Sequence, residues 1–246
     1  MTFDELALEI LRELLRKSGV REWADEEVRQ AIVQAAAEMA WNILYLGGGL
    51  MPTKTLLTPM DGTPKQICFA DHAADFNPTA ANDLRASTDG SLELDVQLDL
   101  TSLANGAACQ SAKVDLGAHW AEECAVRAAF ELAATPTAGA IIQLYWAPSH
   151  HATAGIGNPA NITGVDGAYA GYSANLASSV VQLQMLKPFV CTVQASGTIQ
   201  VGLAGKFRPT HRYGSLVVLN ASGAAFHSDA VESHIVFDPI LPEFQN

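Results

Sequence analysis

Apolar and polar residues follow two periods along this chain, and the change falls near residue 90. At the start, Phe3, Leu6, Ala7, Ile10, Leu11 and Leu14 recur at helical spacing, with Glu5, Glu9, Arg12, Glu13 and Arg16 opposite them. Thr2 and Glu5 stand at capping-box spacing, and Ser18–Gly19 supplies a stop. A second stripe runs Val28, Ile32, Ala35, Met39, Ile43 and Leu46, with Asp25 as its cap and Trp23, Trp41 and Tyr45 beside it. Two helices of this size cannot bury both stripes in each other and stand alone. They need the later domain, symmetry mates or another protein. The reading carried forward is an assembly contact through Leu6, Ile10, Leu14, Val28, Ile32, Met39 and Ile43.

Gly47–Gly49 and Pro52 mark a hinge, and residues 47–89 have the Thr, Pro, Asp and Asn content of a linker and long loop, with one strand predicted at Gln66–Phe69. From Gly90 the period is two. Leu92, Leu94, Val96, Leu98 and Leu100 alternate with Ser91, Glu93, Asp95, Gln97 and Asp99, which predicts a strand with one buried and one acidic face. Cys124, Val126, Ala128, Phe130 and Leu132 repeat the pattern. Thr135–Gly139 is turn chemistry, so this strand and Ile141–Trp146 are expected to form a hairpin.

A connection of about twenty-five residues, Ala147–Gly171, is long enough to be either functional or packed on a neighbour. Val180–Leu186, Phe189–Ala195, Thr198–Phe207, Tyr213–Leu219 and His234–Phe237 are the further strands expected. Tyr213–Leu219, apolar between Pro209 and the turn residues Asn220–Gly223, reads as a strand buried on both faces. The chain is thus predicted to be mainly β. An antiparallel β-sandwich or jelly roll over residues 90–246 follows an N-terminal pair of α-helices over 1–46.

Composition narrows the function. Among 246 residues, 49% are apolar and 16% charged, which is globular rather than disordered, and the net charge is −12. No Lys/Arg stripe tracks a phosphate backbone or an anionic bilayer, so neither nucleic acid nor membrane is an expected partner. Met1–Gly19 starts acidic and has no uninterrupted apolar core, unlike a signal peptide, so a cytosol-like compartment is expected. Cys68, Cys109, Cys124 and Cys191 are widely spaced in apolar segments and read as small buried hydrophobes.

Candidate chemistry is thin. Adjacent His150 and His151 point to opposite sides of an extended chain, and His227 and His234, with Asp229 and Glu232 between them, would diverge across a turn and a strand. There is no Gly-x-Ser-x-Gly elbow, and the acidic pairs Asp95/Asp99 and Glu122/Glu123 fit a solvated strand face or turn. No catalytic, cofactor-binding or metal-ligating residue is assigned, and the chain does not read as an enzyme. Tyr145, Trp146, Tyr169 and Tyr172 could fill a core, form an interface or stack on a sugar; Trp146, Tyr169 and Tyr172 are taken as interface candidates.

Several blocks together resemble a family of small virion proteins of tailed bacteriophages. They are Ser111–Gly117 (SAKVDLG), Ala134–Gly139 (ATPTAG), Leu144–Ser149 (LYWAPS), Gly157–Pro159 (GNP), Gly164–Tyr169 (GVDGAY), Arg212–Val218 (RYGSLVV) and Asn220–Phe226 (NASGAAF). The likeness covers about residues 90–246 and lies in turns and strands, so it carries over no active-site residue. It implies a jelly-roll structural protein of the virion, assembled in the host bacterial cytoplasm, whose partners are further copies of itself and other virion proteins. With the helices as an anchor, a tail-attached fibre, collar or adaptor is expected. A head decoration protein and a module for a host surface glycan are the alternatives.

Overall fold

The computed structural model describes residues 55–56, 65–74, 76–86, 93–117, 120–229, 231–240 and 243–244. The helices expected over 1–46, and with them Leu6, Ile10, Leu14, Val28, Ile32, Met39 and Ile43, lie outside the described residues. The chain divides into two compact units, residues 1–56 with 243–246, and residues 57–242. In the first, β1 (Thr55–Leu56) pairs antiparallel with β14 (Glu243–Phe244).

The second unit is mainly β. Its strands are β2 (Gln66–Ala70), β3 (Glu93–Gln97), β4 (Ala108–Gln110), β5 (Val114–Asp115), β6 (Glu123–Phe130), β7 (Ile141–Ser149), β8 (Gly167–Tyr169), β9 (Gln184–Met185), β10 (Phe189–Val190), β11 (Gln200–Phe207), β12 (Tyr213–Ala221) and β13 (His234–Ile240). One short helix, α1 (Leu176–Val180), precedes β9. A seven-stranded sheet has the order β10-β7-β12-β4-β8, with β5 also on β12 and β9 on β7. A five-stranded sheet has the order β11-β6-β13-β2-β3, antiparallel except for β2 and β3.

Strand alternation builds three apolar layers. From β7 and β12, Ile142, Leu144, Trp146, Leu216 and Val218 turn one way and meet Ile67, Phe69, Val126, Phe130, Ile235 and Phe237 of the other sheet in one shared core. Aromatic rings bridge the sheets, with Trp146 centred 5.8 Å from both Phe207 and Phe237. The opposite faces of β7 and β12 present Tyr145, Ala147 and Val217, which are covered by Ile162, Tyr169, Val180 and Leu183. Cys68, Ala70, Ala129 and Val236 face outward from the five-stranded sheet and are covered by Leu84 and Phe76. Tyr213–Leu219 is therefore a strand buried on both faces, because segments between β7 and β9 fold back over it. The strand expected at Gln66–Phe69 in a linker is β2, which pairs with β13 and β3 inside a sheet.

Three expectations are corrected. β6 and β7 do not form a hairpin. The chain crosses between sheets, β6 pairing with β11 and β13 and β7 with β12, β10 and β9. The turn that joins them is held elsewhere, by Thr137 N–H donating to Ser222 O and Gly139 N–H to Cys191 O. Val180–Leu186 is not one strand. The Asn175 side chain accepts from Ser178 N–H and caps α1, whose Leu176 and Val180 pack against the sheet together with Leu183 from the turn that follows. Phe189–Ala195 is strand only at Phe189–Val190.

The alternation predicted through Leu100 holds from Val96 onward but fails at the start of β3, where Glu93 is 4% exposed and Leu94 38%. The buried Glu93 lies against Arg85, whose Nη1 is 3.8 Å from Glu93 Oε1 while its Nη2 binds Asp83 at 2.7 Å.

The core leaves no space beside Trp146. A Cβ added at Gly214 would lie 2.2 Å from Trp146 Cζ2. Gly214→Ala is expected to destabilise the protein by about 1–3 kcal/mol through overpacking, and Phe237→Ala by about 3–5 kcal/mol through the cavity it leaves. Urea unfolding of each variant checks both.

Candidate interaction surface

The aromatic residues expected at an interface separate. Trp146 has no exposed surface, because β7 alternation aims it between the sheets. Tyr169 is also buried, with its hydroxyl donating to Ala160 O at 2.7 Å. Both are core side chains in this chain rather than contact residues. Tyr172 alone of the three is exposed.

The histidines also fall apart as a group. His151 Nδ1 accepts from Thr153 N–H at 3.0 Å in the loop after β7. Lys113 gathers that loop by donating to Ser149 Oγ and to the carbonyls of His151, Thr153 and Ile156, at 2.7–3.0 Å. Burial holds its pKa below the usual lysine value. His227 Nδ1 lies 3.7 Å from Glu131. His234 is fully buried, its Nε2 accepting from Leu84 N–H at 3.1 Å and its Nδ1 donating to Glu232 O at 2.7 Å. Among the described residues no three His, Cys, Asp or Glu side chains gather closely enough to hold a metal ion.

All four cysteines are buried free thiols. Burial pushes Cys109 and Cys124 up to about 12 and Cys68 higher, so the reactive thiolate is suppressed at neutral pH.

The surface that stands out was not foreseen. β10 ends the seven-stranded sheet, β11 ends the five-stranded sheet, and Gly202 of β11 meets the Phe189 ring of β10. Between them opens a cleft of about 410 Å³ lined by Lys187, Phe189, Thr192, Gln194, Ile199 and Leu203. Val190, Val193, Val201 and Leu203 are exposed along this rim, Leu203 at 66%. Apolar residues clustered along an open strand mark an interaction site more often than isolated ones do.

A register shift between Leu203 and Gly205 creates part of this surface. Residues 201 and 203 face out before the shift and Lys206 after it, while Ala204, Gly205 and Phe207 stay buried. Gly205 (φ +112°) makes the shift possible; a side chain there would collide with Lys187. The rim also lies in a basic stretch of an acidic chain. No Asp or Glu occurs between Asp166 and Asp229, whereas Lys187, Lys206, Arg208 and Arg212 do. Lys206 lies 3.7 Å from Glu123 and Arg212 binds Asp115. Neither Lys187 nor Arg208 meets a carboxylate among the described residues. The sequence pattern predicts a strand at Thr198–Phe207, but not that it is an edge, because edge position depends on pairing.

No protein-family model matches the chain, and no curated protein matches it.

Burial holds the His234 pKa below the usual histidine value, reinforced by Arg85 and opposed by the Glu232 carbonyl and by the charges of Asp83 and Glu232. With the folded pKa depressed, the unfolded chain takes up the proton first, so this histidine removes stability as pH falls through about 6.5. The urea midpoint of the wild type is expected to drop more steeply from about pH 7.5 to 5.5 than that of His234→Gln. Parallel slopes would contradict this.

Proposed function

We propose that this chain is a structural subunit of a tailed-bacteriophage virion, a β-sandwich of jelly-roll type that self-assembles and docks to the particle through residues 1–46. The observation that carries the reading is the rim at β10 and β11, where two sheet edges, a cleft and exposed Val and Leu side chains coincide. Such a rim is a liability in a lone soluble protein and an asset in a repeating assembly. Two sheets sharing one core suit the sandwich architecture, and the sequence blocks between residues 90 and 246 support the phage family.

A tail-attached fibre, collar or adaptor is the first assignment. The order of amphipathic stripes, glycine hinge and β unit suits an anchored, projecting part. A head decoration protein is the alternative within the same class. The glycan-binding alternative loses most of its aromatic platform, since Trp146 and Tyr169 are buried.

The test uses particles purified by density gradient from phage that encode this chain. The chain is expected in them at fixed stoichiometry, with immunogold label at the tail. Ile10→Glu with Ile32→Glu is expected to abolish incorporation while the soluble protein keeps its unfolding midpoint. Absence of the wild-type chain from purified particles would overturn the virion reading; label on the head would move it to the decoration role.

A further inference from the structure

β11 ends the five-stranded sheet, and the direction of its backbone groups follows from β6. Leu132 O accepts from Gly197 N–H on the β11 side, whereas Glu131 N–H donates to Ser233 Oγ and Glu131 O accepts from His227 N–H on the β13 side. Alternation along β6 therefore aims Phe130 and Ala128 at β11, where Gln200 and Gly202 are their partners. Ile199, Val201 and Leu203 aim their N–H and C=O groups the other way, and among the described residues nothing bonds to them there. Gly202 has no side chain and is still partly exposed, and what it exposes is backbone.

We propose that β11 pairs antiparallel with β11 of a second copy about a two-fold axis at Val201, joining two five-stranded sheets into one. This rests on the self-assembly half of the proposed function and is independent of docking through residues 1–46.

The stretch from Ile199 to Leu203 is complementary to itself. With Val201 opposite Val201 of the second copy, Ile199 falls opposite Leu203 and Gln200 opposite Gly202. Outward-aimed residues then meet outward-aimed ones, and each such pair exchanges two backbone hydrogen bonds. An axis at Gly202 or at Leu203 would instead set Ile199 or Val201 opposite Gly205, beyond the register shift, and lose a pair.

The side chains suit the same axis. Val201 and Leu203 are exposed, 48% and 66%, on the sheet face of Ala129, and the half-buried Ile199 packs there against the layer of Cys68, Ala129 and Val236. Across the axis the three aliphatic side chains of each copy meet those of the other and continue that apolar layer. No proline or charged residue stands within Ile199–Leu203 to blunt the edge.

The cations of the rim do not oppose the contact. Lys206 and Arg208 lie past the bulge, and the two-fold sends the two sets to opposite ends, roughly 30 Å apart. Each set comes beside Val193–Thr198 of the second copy, which holds no charged residue. An edge that pairs with itself closes at two copies.

The experiment follows disulfide cross-linking of the full chain in oxidised glutathione, read on non-reducing gels. In Val201→Cys the introduced thiols would meet across the axis at a Cα separation of about 5.5 Å, which a disulfide spans. This variant is expected to collect as a covalent dimer. Leu203→Cys and the wild type, whose four thiols are buried, are expected to stay single chains. An equimolar mixture of Ile199→Cys and Leu203→Cys is expected to cross-link where neither does alone. Light scattering gives a second reading: Val201→Lys sets two ammonium groups against each other at an exposed position and is expected to halve the wild-type mass, with thermal melting as the check on folding.

Cross-linking of Val201→Cys no faster than that of Leu203→Cys, or a Val201→Lys mass equal to the wild type, would overturn the inference. A monomeric wild type would overturn it too and would assign the edge to a strand of another particle protein. Ile10→Glu with Ile32→Glu is expected to leave the Val201→Cys cross-link intact, so loss of particle incorporation and loss of this pairing are read apart.

Discussion

The β unit depends on keeping both faces of the β7–β12 pair dry. Nine residues of β12 lie opposite nine of β7, from Tyr213 against Ser149 to Ala221 against Ile141, the longest register in the fold. Side chains leave this ribbon in two directions, so an apolar layer is needed on each side. The five-stranded sheet supplies one, through Trp146, Phe207 and Phe237. The chain between β7 and β9 supplies the other, with Ile162, Tyr169, Val180 and Leu183. At about 25 cal/mol per Å² of apolar area, each layer is worth several side chains' burial, and neither sheet is stable without its cover.

This requirement explains the irregular parts of the structure. The connection after β7 is long because it must cross a sheet face, and it is held there by discrete polar contacts. Lys113 satisfies three loop carbonyls and one hydroxyl at once, and Asn158 Nδ2 donates to Ala154 O and to Ile162 O. Gly164 sits where a Cβ would lie 2.3 Å from Ala154 O. Residues that could be mistaken for chemistry, among them Lys113, His151 and the buried His234, act as hydrogen-bond partners that let backbone leave water.

Where this cover ends, the surface changes character. β10 and β11 lie at the margin of both sheets, and the apolar side chains that would have a partner in the middle of a sheet are exposed. The bulge at Leu203 and Gly205 keeps Phe207 in the core while turning Lys206 outward. Apolar centre and basic rim thus arise from one position in the topology.

The sequence by itself determined the class and the faces. The period-two pattern placed Val126 and Phe130 in a strand, short runs bounded by turn residues placed Leu144, Val218 and Phe237 in others, and the breakers around Tyr213–Leu219 marked the doubly buried strand, because side-chain alternation and turn chemistry are local properties. Partners were not legible. A strand pattern states which residues are buried but not which strand lies beside it, so the hairpin expected between β6 and β7 became a crossing between sheets. The same ignorance placed Trp146 at an interface and hid β11 as an edge. Even α1 follows this rule: Leu176, Val180 and Leu183 have helical spacing, yet the apolar run Val180–Leu186 reads equally well as strand. Only the tertiary structure decided these points, since edge, centre and cover are properties of pairing between residues far apart in the chain.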